Sequence, residues 1–303
     1  MLANHLRIAI ERSAPLRRVA KSRAGQQLIK TARGSCAVRE PLRFAALQLG
    51  PPREGRYRVR GCEARVLLRH RTRDIDIFNE IFGGTAGRHS YDPPPPVCVL
   101  LDETPRPRVL DVGANIGLFG AYVLSRWPRA LIRSYEPDPT NLRLLQRTIA
   151  ANGVGSQWSA SGVAVANAPG ELPFESGLFA DSRLMLGGDG VTAASHAPAG
   201  RTITVQAIDL FDDDHDVELL KMDIEGGEWP ILDDERLGRL RARAIVLEWH
   251  ASGCSVPDAR EYALGRLAAA GYSGLYEVDR GRENGLMWAW RESSPVSRAS
   301  VSP

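Results

Sequence analysis

Short apolar runs divide the middle of the chain into alternating strands and helices. The first run, Val109 to Val112, leads through a glycine turn into apolar residues at helical spacing, which predicts a strand, a tight turn and a helix. Comparable runs lie at residues 131–136, 162–167, 217–224 and 244–250. Strands that alternate with helices in this way predict an α/β domain with a mainly parallel sheet.

The turn after the first strand indicates which kind of ligand the sheet binds. Gly113 and Gly117 are four residues apart with Asn115 between them, whereas a dinucleotide fingerprint is G-x-G-x-x-G. Asp111 would repel a phosphate there, and it would accept a hydrogen bond from an ammonium, directly or through water. S-adenosylmethionine, which has an amino-acid tail and an adenosine but no phosphate, satisfies both conditions. The alternative is an ordinary turn in which Asn115 caps the helix.

Two further positions are candidates for cofactor binding. Glu136 ends the second run, about twenty residues beyond the turn, where such sheets place a carboxylate on the ribose hydroxyls. The alternative is that Glu136 is a solvated acid in a loop. The presence of Asp111 and the two glycines in the preceding turn favours the ribose role. Asn167 ends the run at 162–167, where its amide could pair with the adenine edge, but Asn-Ala-Pro-Gly is equally a plain turn signal.

Titratable groups gather at the ends of the later strands. Asp223 ends the run at 217–224, and ligands of open α/β sheets bind at this carboxyl edge. Glu248 and His250 end the fifth strand with a spacing of two, which places both side chains on one face. His250 titrates near neutrality and is the better matched general base, with Asp223 orienting it or the substrate hydroxyl. Complete prior deprotonation of an alcohol by an ordinary carboxylate would cost about 16 kcal/mol, so proton transfer is expected to accompany bond formation.

The same acids could hold a divalent ion. Asp223, Glu225 and Glu228 lie in one turn and have the oxygen ligands that such ions prefer. Carboxylates in turns are more often solvated or bonded to the backbone, so no metal is assigned.

Several of these segments resemble a known family. DVGANIG, YEPDP, NLRLLQRTIAANG, AVANAPGELPF, LLKMDIEGGEW and IVLEWH occur in the order and approximate spacing of FkbM-type S-adenosylmethionine-dependent methyltransferases, from about Asp74 to Trp290. The resemblance implies a class I, Rossmann-like methyltransferase fold and O-methylation of a hydroxyl on a small molecule, often a sugar or a polyketide product. It also makes Tyr91 a candidate lid residue at the cofactor mouth, although a packing role fits that residue as well.

The end of the chain completes the predicted sheet. Residues 274–278 and 284–290 have the pattern of a closing antiparallel hairpin. The predicted fold is therefore a mainly parallel seven-stranded sheet that ends in this hairpin, with a basic N-terminal extension. Residues 175–200 show little periodicity and are expected to form a loop at the substrate mouth.

Charge is distributed unevenly between the two parts of the chain. Residues 1–73 contain 18 Lys and Arg against 4 Asp and Glu, whereas residues 74–303 contain 21 against 32. A basic segment of this kind can contact anionic lipid, nucleic acid or a phosphorylated substrate, or pack against the protein's own acidic body. Packing is favoured, nucleic acid is not expected as a partner, and contact with a membrane surface stays open. The sequence gives no indication of the oligomeric state.

Length and composition limit the number of domains that the chain can form. With 303 residues, 43% of them hydrophobic, it can bury one substantial core. Four scattered cysteines form no metal pattern and suit a reducing, cytoplasmic location. The expected units are a basic extension at 1–92, an S-adenosylmethionine-binding methyltransferase domain at 93–291 and a disordered tail at 292–303. A stiff spacer at Pro93–Pro96 separates the first two.

The predicted function is S-adenosylmethionine-dependent O-methylation of a small-molecule hydroxyl on a sugar, glycolipid or polyketide-type acceptor. One alternative is an NAD-type oxidoreductase, which Asn115 in the turn argues against. The other is a non-catalytic protein with a cofactor-binding fold that binds membrane or polyanion through its basic N-terminal region. Intact acids at positions 111, 136 and 223 argue against a decayed site.

Overall fold

The structure is a computed structural model that describes residues 22–83, 89–177, 183–184, 201–212, 216–278, 281 and 283–292. Residues 1–21 of the expected basic extension, most of the loop expected at 175–200 and the tail after residue 292 lie outside the described residues.

The described residues form helices and strands that alternate through most of the chain. In order they are α1 (Arg23–Ala37), α2 (Pro41–Leu49), β1 (Glu54–Arg58), β2 (Arg65–Arg69), α3 (Asp74–Ile81), α4 (Pro95–Glu103), β3 (Arg108–Val112), α5 (Leu118–Arg126), β4 (Leu131–Tyr135), α6 (Pro139–Asn152), β5 (Trp158–Ser161), β6 (Ala164–Ala166), β7 (Gly170–Ser176), β8 (Arg183–Leu184), β9 (Arg201–Asp209), β10 (Val217–Met222), α7 (Glu228–Asp233), β11 (Ala242–His250), α8 (Ala259–Ala269), β12 (Gly274–Val278) and β13 (Asn284–Trp290). None of the helices described here has both the length and the apolar character needed to cross a bilayer.

The central sheet has seven strands in the order β12-β13-β11-β10-β3-β4-β5. The five strands from β11 to β5 are parallel, and β13 lies antiparallel to both of its neighbours. This arrangement confirms the predicted mainly parallel seven-stranded sheet with a closing hairpin. Parallel strands are buried on both faces, which is why their sequences appear as continuous apolar runs.

The third strand of the sheet was assigned wrongly from the sequence. The strand beside β4 is β5. Half of the predicted segment at 162–167 forms β6, which joins a separate four-stranded sheet in the order β6-β9-β7-β8. Only Trp158 anchors β5 in the core, and its indole nitrogen donates to Ser134 Oγ at 2.9 Å. A single large aromatic residue replaces the apolar run that the prediction relied on.

The proline run at 93–96 is also different from the prediction. Instead of an extended spacer, α4 begins at Pro95 and buries Val97 and Leu101 one turn apart. Prolines are tolerated in the first turn of a helix because the backbone N–H groups there have no partner within the helix. The run therefore starts an element that packs on the core.

The segment that precedes the central sheet packs around a cluster of aromatic side chains. Phe44 of α2, Tyr57 of β1 and Phe78 of α3 are fully buried, and Phe44 lies within 6 Å of the other two rings. Strands β1 and β2 pair antiparallel, and helix α3 follows them from Asp74 to Ile81.

A buried polar chain runs through this cluster. His70 Nδ1 lies 2.8 Å from Gln48 Oε1, and His70 Nε2 lies 2.6 Å from the Tyr57 hydroxyl. The Gln48 oxygen also lies 3.2 Å from the backbone N–H of Arg71, which donates to it, so this oxygen acts as an acceptor. The histidine therefore carries its proton on Nδ1 and accepts from the tyrosine through Nε2. Burial favours this neutral form and lowers the His70 pKa to about 4.

The lowered pKa of His70 predicts acid sensitivity. In the unfolded chain the histidine titrates near 6.5, so the unfolded state binds more protons than the native state between about pH 6.5 and pH 4. We expect the free energy of unfolding to fall by up to about 3 kcal/mol as the pH drops through this range. Urea unfolding monitored by fluorescence measures this slope, and His70→Gln should remove most of it. An unchanged slope in that variant would contradict the assignment.

Candidate active site

A cavity of about 440 Å³ opens at the carboxyl edge of β3, β4, β10 and β11. On one side it is lined by the turn after β3 and by the end of β4. On the other it is lined by the turn after β10 and by side chains from α3 and β11. The predicted site residues that line it are Gly113, Asn115, Glu136, Asp223, Glu225 and Glu248.

The turn after β3 is shaped by close contact with the turn after β10. Gly113 has a φ of +76°, and a Cβ atom there would lie 1.8 Å from the Asp223 carbonyl oxygen. Only glycine fits, because the position requires both a left-handed backbone and the space of a missing side chain. Gly117 begins α5 and packs against Leu145 and Trp158, so it shapes the turn without lining the cavity.

Glu136 is fixed by two backbone amides at the floor of the cavity. Its Oε2 accepts from the Asn115 N–H at 2.7 Å, and its Oε1 accepts from the Asp138 N–H at 2.9 Å. Burial raises the pKa of Glu136 to about 7 although both hydrogen bonds favour the carboxylate. The side chain is thus rigidly placed and poised to ionise near neutral pH.

Asp111 lies behind the cavity and not in its lining. It is fully buried, accepts from the Ser134 hydroxyl at 3.3 Å, and has Lys221 Nζ 3.5 Å from its Oδ1. The expected direct contact between Asp111 and a ligand ammonium is therefore not available. Asp111 acts on the site through Lys221.

Lys221 is the site residue that the sequence analysis missed. Its ammonium donates to the Gly113 carbonyl at 2.6 Å and lies 3.5 Å from Asp223 Oδ2. Burial alone would lower its pKa, but the carboxylates of Asp223 and Asp111 outweigh burial and raise it. A lysine inside the apolar run of β10 was the available signal, because lysine is almost never buried without charged partners.

His250 does not have the environment of a general base. Its Nδ1 lies 3.1 Å from Glu228 Oε1, and its Nε2 lies 3.3 Å from Glu225 Oε2. Burial would lower its pKa, but the bond to Glu228 and the neighbouring charges outweigh burial and raise it to about 10. A carboxylate therefore lies beside each ring nitrogen, which favours a charged ring that positions its neighbours over a general base. The assignment of His250 as general base stays a prediction of the sequence analysis, and this geometry does not favour it.

A hydrogen bond links Glu248 and Tyr91, which both line the cavity. The Tyr91 hydroxyl donates to Glu248 Oε2 at 2.8 Å, and its ring packs on Phe119 with 5.6 Å between the centroids. Tyr91 is buried, so in this structure it forms a wall of the cavity.

Asp223, Glu225 and His250 are close enough together to hold a divalent ion, which would require the His250 ring to lose a proton. One potential ligand atom from each of the three lies within 4.8 Å of the others, and ligands of one octahedral ion at about 2.1 Å are separated by comparable distances. Glu228 is not available as a ligand, because its carboxylate accepts from the backbone N–H groups of Gly226 and His250.

Asn167 is a predicted cofactor residue that, like Asp111 and Gly117, does not line the cavity. Its carbonyl accepts from Arg236 Nη2 at 2.7 Å, and Asn167 does not line the cavity. Val163, Ala164 and Val165 line it instead. The Asn-Ala-Pro-Gly segment turns away from the cavity into β7, so the plain turn interpretation holds.

The strand order, the closing hairpin and a cavity over the glycine turn define a Rossmann-like, class I methyltransferase fold. A family model described as the methyltransferase FkbM domain matches residues 111–273, more than half of the chain. The protein belongs to this family, as the sequence motifs indicate.

Two characterised sequences share part of the chain. Methyltransferase sdnD of Sordaria araneosa is 27% identical over 206 residues, which cover 58% of this chain and 75% of the relative. Ribosomal RNA small subunit methyltransferase C of Pseudomonas entomophila (strain L48) is 34% identical over 88 residues, which cover 27% of this chain and 26% of that protein.

Solved structures with a similar arrangement include two methyltransferases. FkbM from Methylobacillus flagellatus KT is 18% identical with a TM-score of 0.42, over 61% of this chain and 44% of that one. Precorrin-6y C5,15-methyltransferase from Geobacter metallireducens GS-15 is 13% identical with a TM-score of 0.36, over 65% of this chain and 86% of that one. The chain thus spans less than half the length of the FkbM structure.

The pKa of Glu136 predicts a pH dependence of cofactor binding. Ribose hydroxyls donate to a carboxylate, so the ligand should select the ionised form, which the free protein loses as the pH falls through about 7. We expect the Kd for S-adenosylhomocysteine to be about tenfold higher near pH 6 than near pH 8. Calorimetric titration measures it. Glu136→Gln should bind weakly at both pH values, whereas the surface control Glu171→Gln should behave as wild type. A flat wild-type profile would remove Glu136 from the ribose.

Removal of metal ions tests the Asp223, Glu225 and His250 cluster. The protonated imidazole already places a positive charge beside Glu225 and Glu228, so we expect turnover to survive dialysis against a chelator. Loss of activity that Mg²⁺ or Mn²⁺ restores would instead assign these three residues as ligands. Mn²⁺ binding followed by electron paramagnetic resonance, with Asp223→Asn for comparison, separates that outcome from simple unfolding.

Proposed function

We propose that the protein is an S-adenosylmethionine-dependent O-methyltransferase that acts on a hydroxyl of a small molecule of the sugar, glycolipid or polyketide type. The observation that carries the proposal is the single cavity that holds a rigid carboxylate, Glu136, at the glycine turn and a second one, Asp223, on the facing turn. The first suits a ribose and the second a reacting hydroxyl.

The cofactor would lie along the glycine turn. Glu136, fixed by the Asn115 N–H, would accept from the ribose hydroxyls, and Val163 to Val165 would offer an apolar surface to the adenine. Gly113 would keep the turn close against the turn after β10. Lys221 and Asp111 would hold the turn in place from behind. When bound, the cofactor supplies a methyl group on a positively charged sulfur.

Asp223 is the residue we assign as proton acceptor. Its side chain is about a quarter exposed, lines the cavity and lies 3.5 Å from the Lys221 ammonium. Asp223 would accept the proton of the acceptor hydroxyl as that oxygen takes the methyl group. The transfer must accompany bond formation, because a free alkoxide would cost about 16 kcal/mol.

His250 and Glu248 are assigned positioning roles in this scheme. The His250 ring lies between Glu228, 3.1 Å from its Nδ1, and Glu225, 3.3 Å from its Nε2, and would hold both carboxylates in place. Glu248 holds Tyr91 against the cavity. Their loss should disturb the alignment of donor and acceptor, on which the rate of such a displacement depends steeply.

Binding and turnover should respond differently to two matched substitutions. We expect Glu136→Gln to weaken the binding of S-adenosylhomocysteine, whereas Asp223→Asn should keep that affinity and lower turnover by about 10² or more, the usual contribution of a general base. Calorimetry gives the affinities. Transfer of labelled methyl from S-adenosylmethionine to a panel of hydroxylated acceptors gives the turnover.

A parallel titration with NADH decides between functions. Binding of S-adenosylhomocysteine alone supports the methyltransferase. Binding of NADH alone would make the protein an oxidoreductase, and binding of neither would favour a non-catalytic role. If Asp223→Asn lost cofactor affinity as Glu136→Gln does, the division of roles between the two turns would be wrong.

A further inference from the structure

Asp138 is a fully buried carboxylate at the start of α6 that contacts two separate elements. Its Oδ1 accepts from the backbone N–H groups of Thr140 at 2.7 Å and Asn141 at 3.2 Å, and so caps the helix. Its Oδ2 accepts from the Ser176 hydroxyl at 2.8 Å and from the Gly177 N–H at 2.9 Å, at the end of β7. Capping uses only the first oxygen. The second oxygen ties β7 to the start of α6.

The Asp138 carboxylate is held in its ionised form. Burial alone would raise its pKa, but the hydrogen bonds that it accepts from β7 and from α6 outweigh burial and lower the pKa. Hydrogen bonds to an ionised group are about twice as strong as those between neutral groups. The carboxylate therefore fixes the end of β7 firmly against the start of α6.

The strand that Asp138 holds belongs to the small sheet β6-β9-β7-β8, which forms one wall of the cavity. Strand β7 pairs with β9 along its whole length, and β9 pairs with β6. Ala164 and Val165 of β6 and Phe174 of β7 line the cavity, on the side proposed to face the adenine. The contact of Asp138 with Ser176 therefore helps to set where this apolar wall lies.

Asp138 also contacts the proposed ribose carboxylate. Its backbone N–H donates to Glu136 Oε1 at 2.9 Å. The glycosidic bond joins the adenine and the ribose of an adenosine, so one ligand meets both the wall and Glu136 only when the two lie at a matching distance. Protein groups that hold such a geometry in advance increase affinity because less ordering remains for the ligand to impose.

We infer that Asp138 is a positioning residue that holds the proposed ribose carboxylate and the proposed adenine wall at the distance that the adenosine of the cofactor requires. The inference rests on the proposed function and adds a residue that controls cofactor affinity without lining the cavity.

Two matched cap substitutions test this role. Asn caps a helix about as well as Asp, so Asp138→Asn keeps an acceptor for the N–H groups of Thr140 and Asn141. The amide then turns its NH₂ group towards β7, and this group cannot accept from the Gly177 N–H. We expect the Kd for S-adenosylhomocysteine at pH 8, measured by calorimetry, to rise about tenfold. Asp258→Asn makes the same change at the exposed cap of α8, away from the cavity, and should leave the Kd unchanged.

Ser176→Ala reaches the same contact without touching the cap. It removes the hydroxyl that donates to Asp138 Oδ2 and leaves both bonds from α6 in place. We expect binding of S-adenosylhomocysteine to weaken about threefold. Ser159→Ala, at an exposed position of β5, should bind as wild type. If Asp138→Asn does not fold, this pair decides alone, and equal affinity of the two serine variants would overturn the inference.

The pH profile of binding separates positioning from a general loosening of the fold. Burial is the main cause of the raised pKa of Glu136, the charge of Asp138 adds to it, and Lys221 opposes it. Asp138→Asn removes one negative charge, so the midpoint of the binding profile should move below pH 7. Ser176→Ala keeps that charge and should keep the midpoint near pH 7. A midpoint that does not move in Asp138→Asn, or an affinity loss no larger than its unfolded fraction in urea titrations explains, contradicts the positioning role.

The wild-type titration distinguishes failure of this inference from failure of the proposed function. Absence of S-adenosylhomocysteine binding at pH 8 refutes the proposed cofactor and the role of Asp138 together. Binding by the wild type with an unchanged Kd in Asp138→Asn and Ser176→Ala refutes only the positioning role. Weaker binding in both variants, with a lowered midpoint in Asp138→Asn alone, supports it.

Discussion

The ion cluster around Lys221 is the constraint on which the rest of the site depends. Its ammonium lies between Asp111 at the end of β3 and Asp223 just after β10, and it donates to the carbonyl of Gly113 in the cofactor turn. Lys221 and Asp111 are register partners in the parallel pairing of β10 with β3, so their side chains leave the sheet on the same face. A buried charge costs several kcal/mol unless it is paired and hydrogen-bonded. The cluster therefore ties strand register, turn shape and the position of Asp223 to one another.

This coupling explains why acids of similar type take different roles. Asp111 is fully buried and holds Lys221, whereas Asp223 shares that lysine but reaches the cavity. Glu136 is bound by two backbone N–H groups and stays rigid with a pKa of about 7. Glu228 is enclosed by the backbone and by His250. The environment of each acid, more than its residue type, therefore distinguishes the structural acids from those proposed to bind the cofactor or accept a proton.

The sheet could be predicted from the sequence because parallel strands buried on both faces appear as continuous apolar runs. The closing hairpin could be predicted because its strands show the alternating pattern of antiparallel strands. Strand β5 could not, because one tryptophan replaces its apolar run. The glycine turn and the acids at strand ends were found from spacing. The spacing of residues predicts which face or edge of the sheet a side chain occupies, but not which residues it contacts. It therefore showed neither that His250 lies between two glutamates nor that Asn167 turns away from the cavity.

The N-terminal segment gains a specific role from the same physics. Its basic residues are met by acidic partners within the chain, as in the pair of Lys30 with Asp76 and the pair of Arg69 with Asp74, and Arg65 donates to the end of α6. These contacts hold α3 with Asp76 and Glu80 in the cavity lining and with Ile75 and Phe78 in the apolar core. The sheet contributes the proposed cofactor turn and the proposed proton acceptor. The segment that precedes the matched family region contributes α3 as a further part of the cavity lining, so two parts of the chain together shape one site.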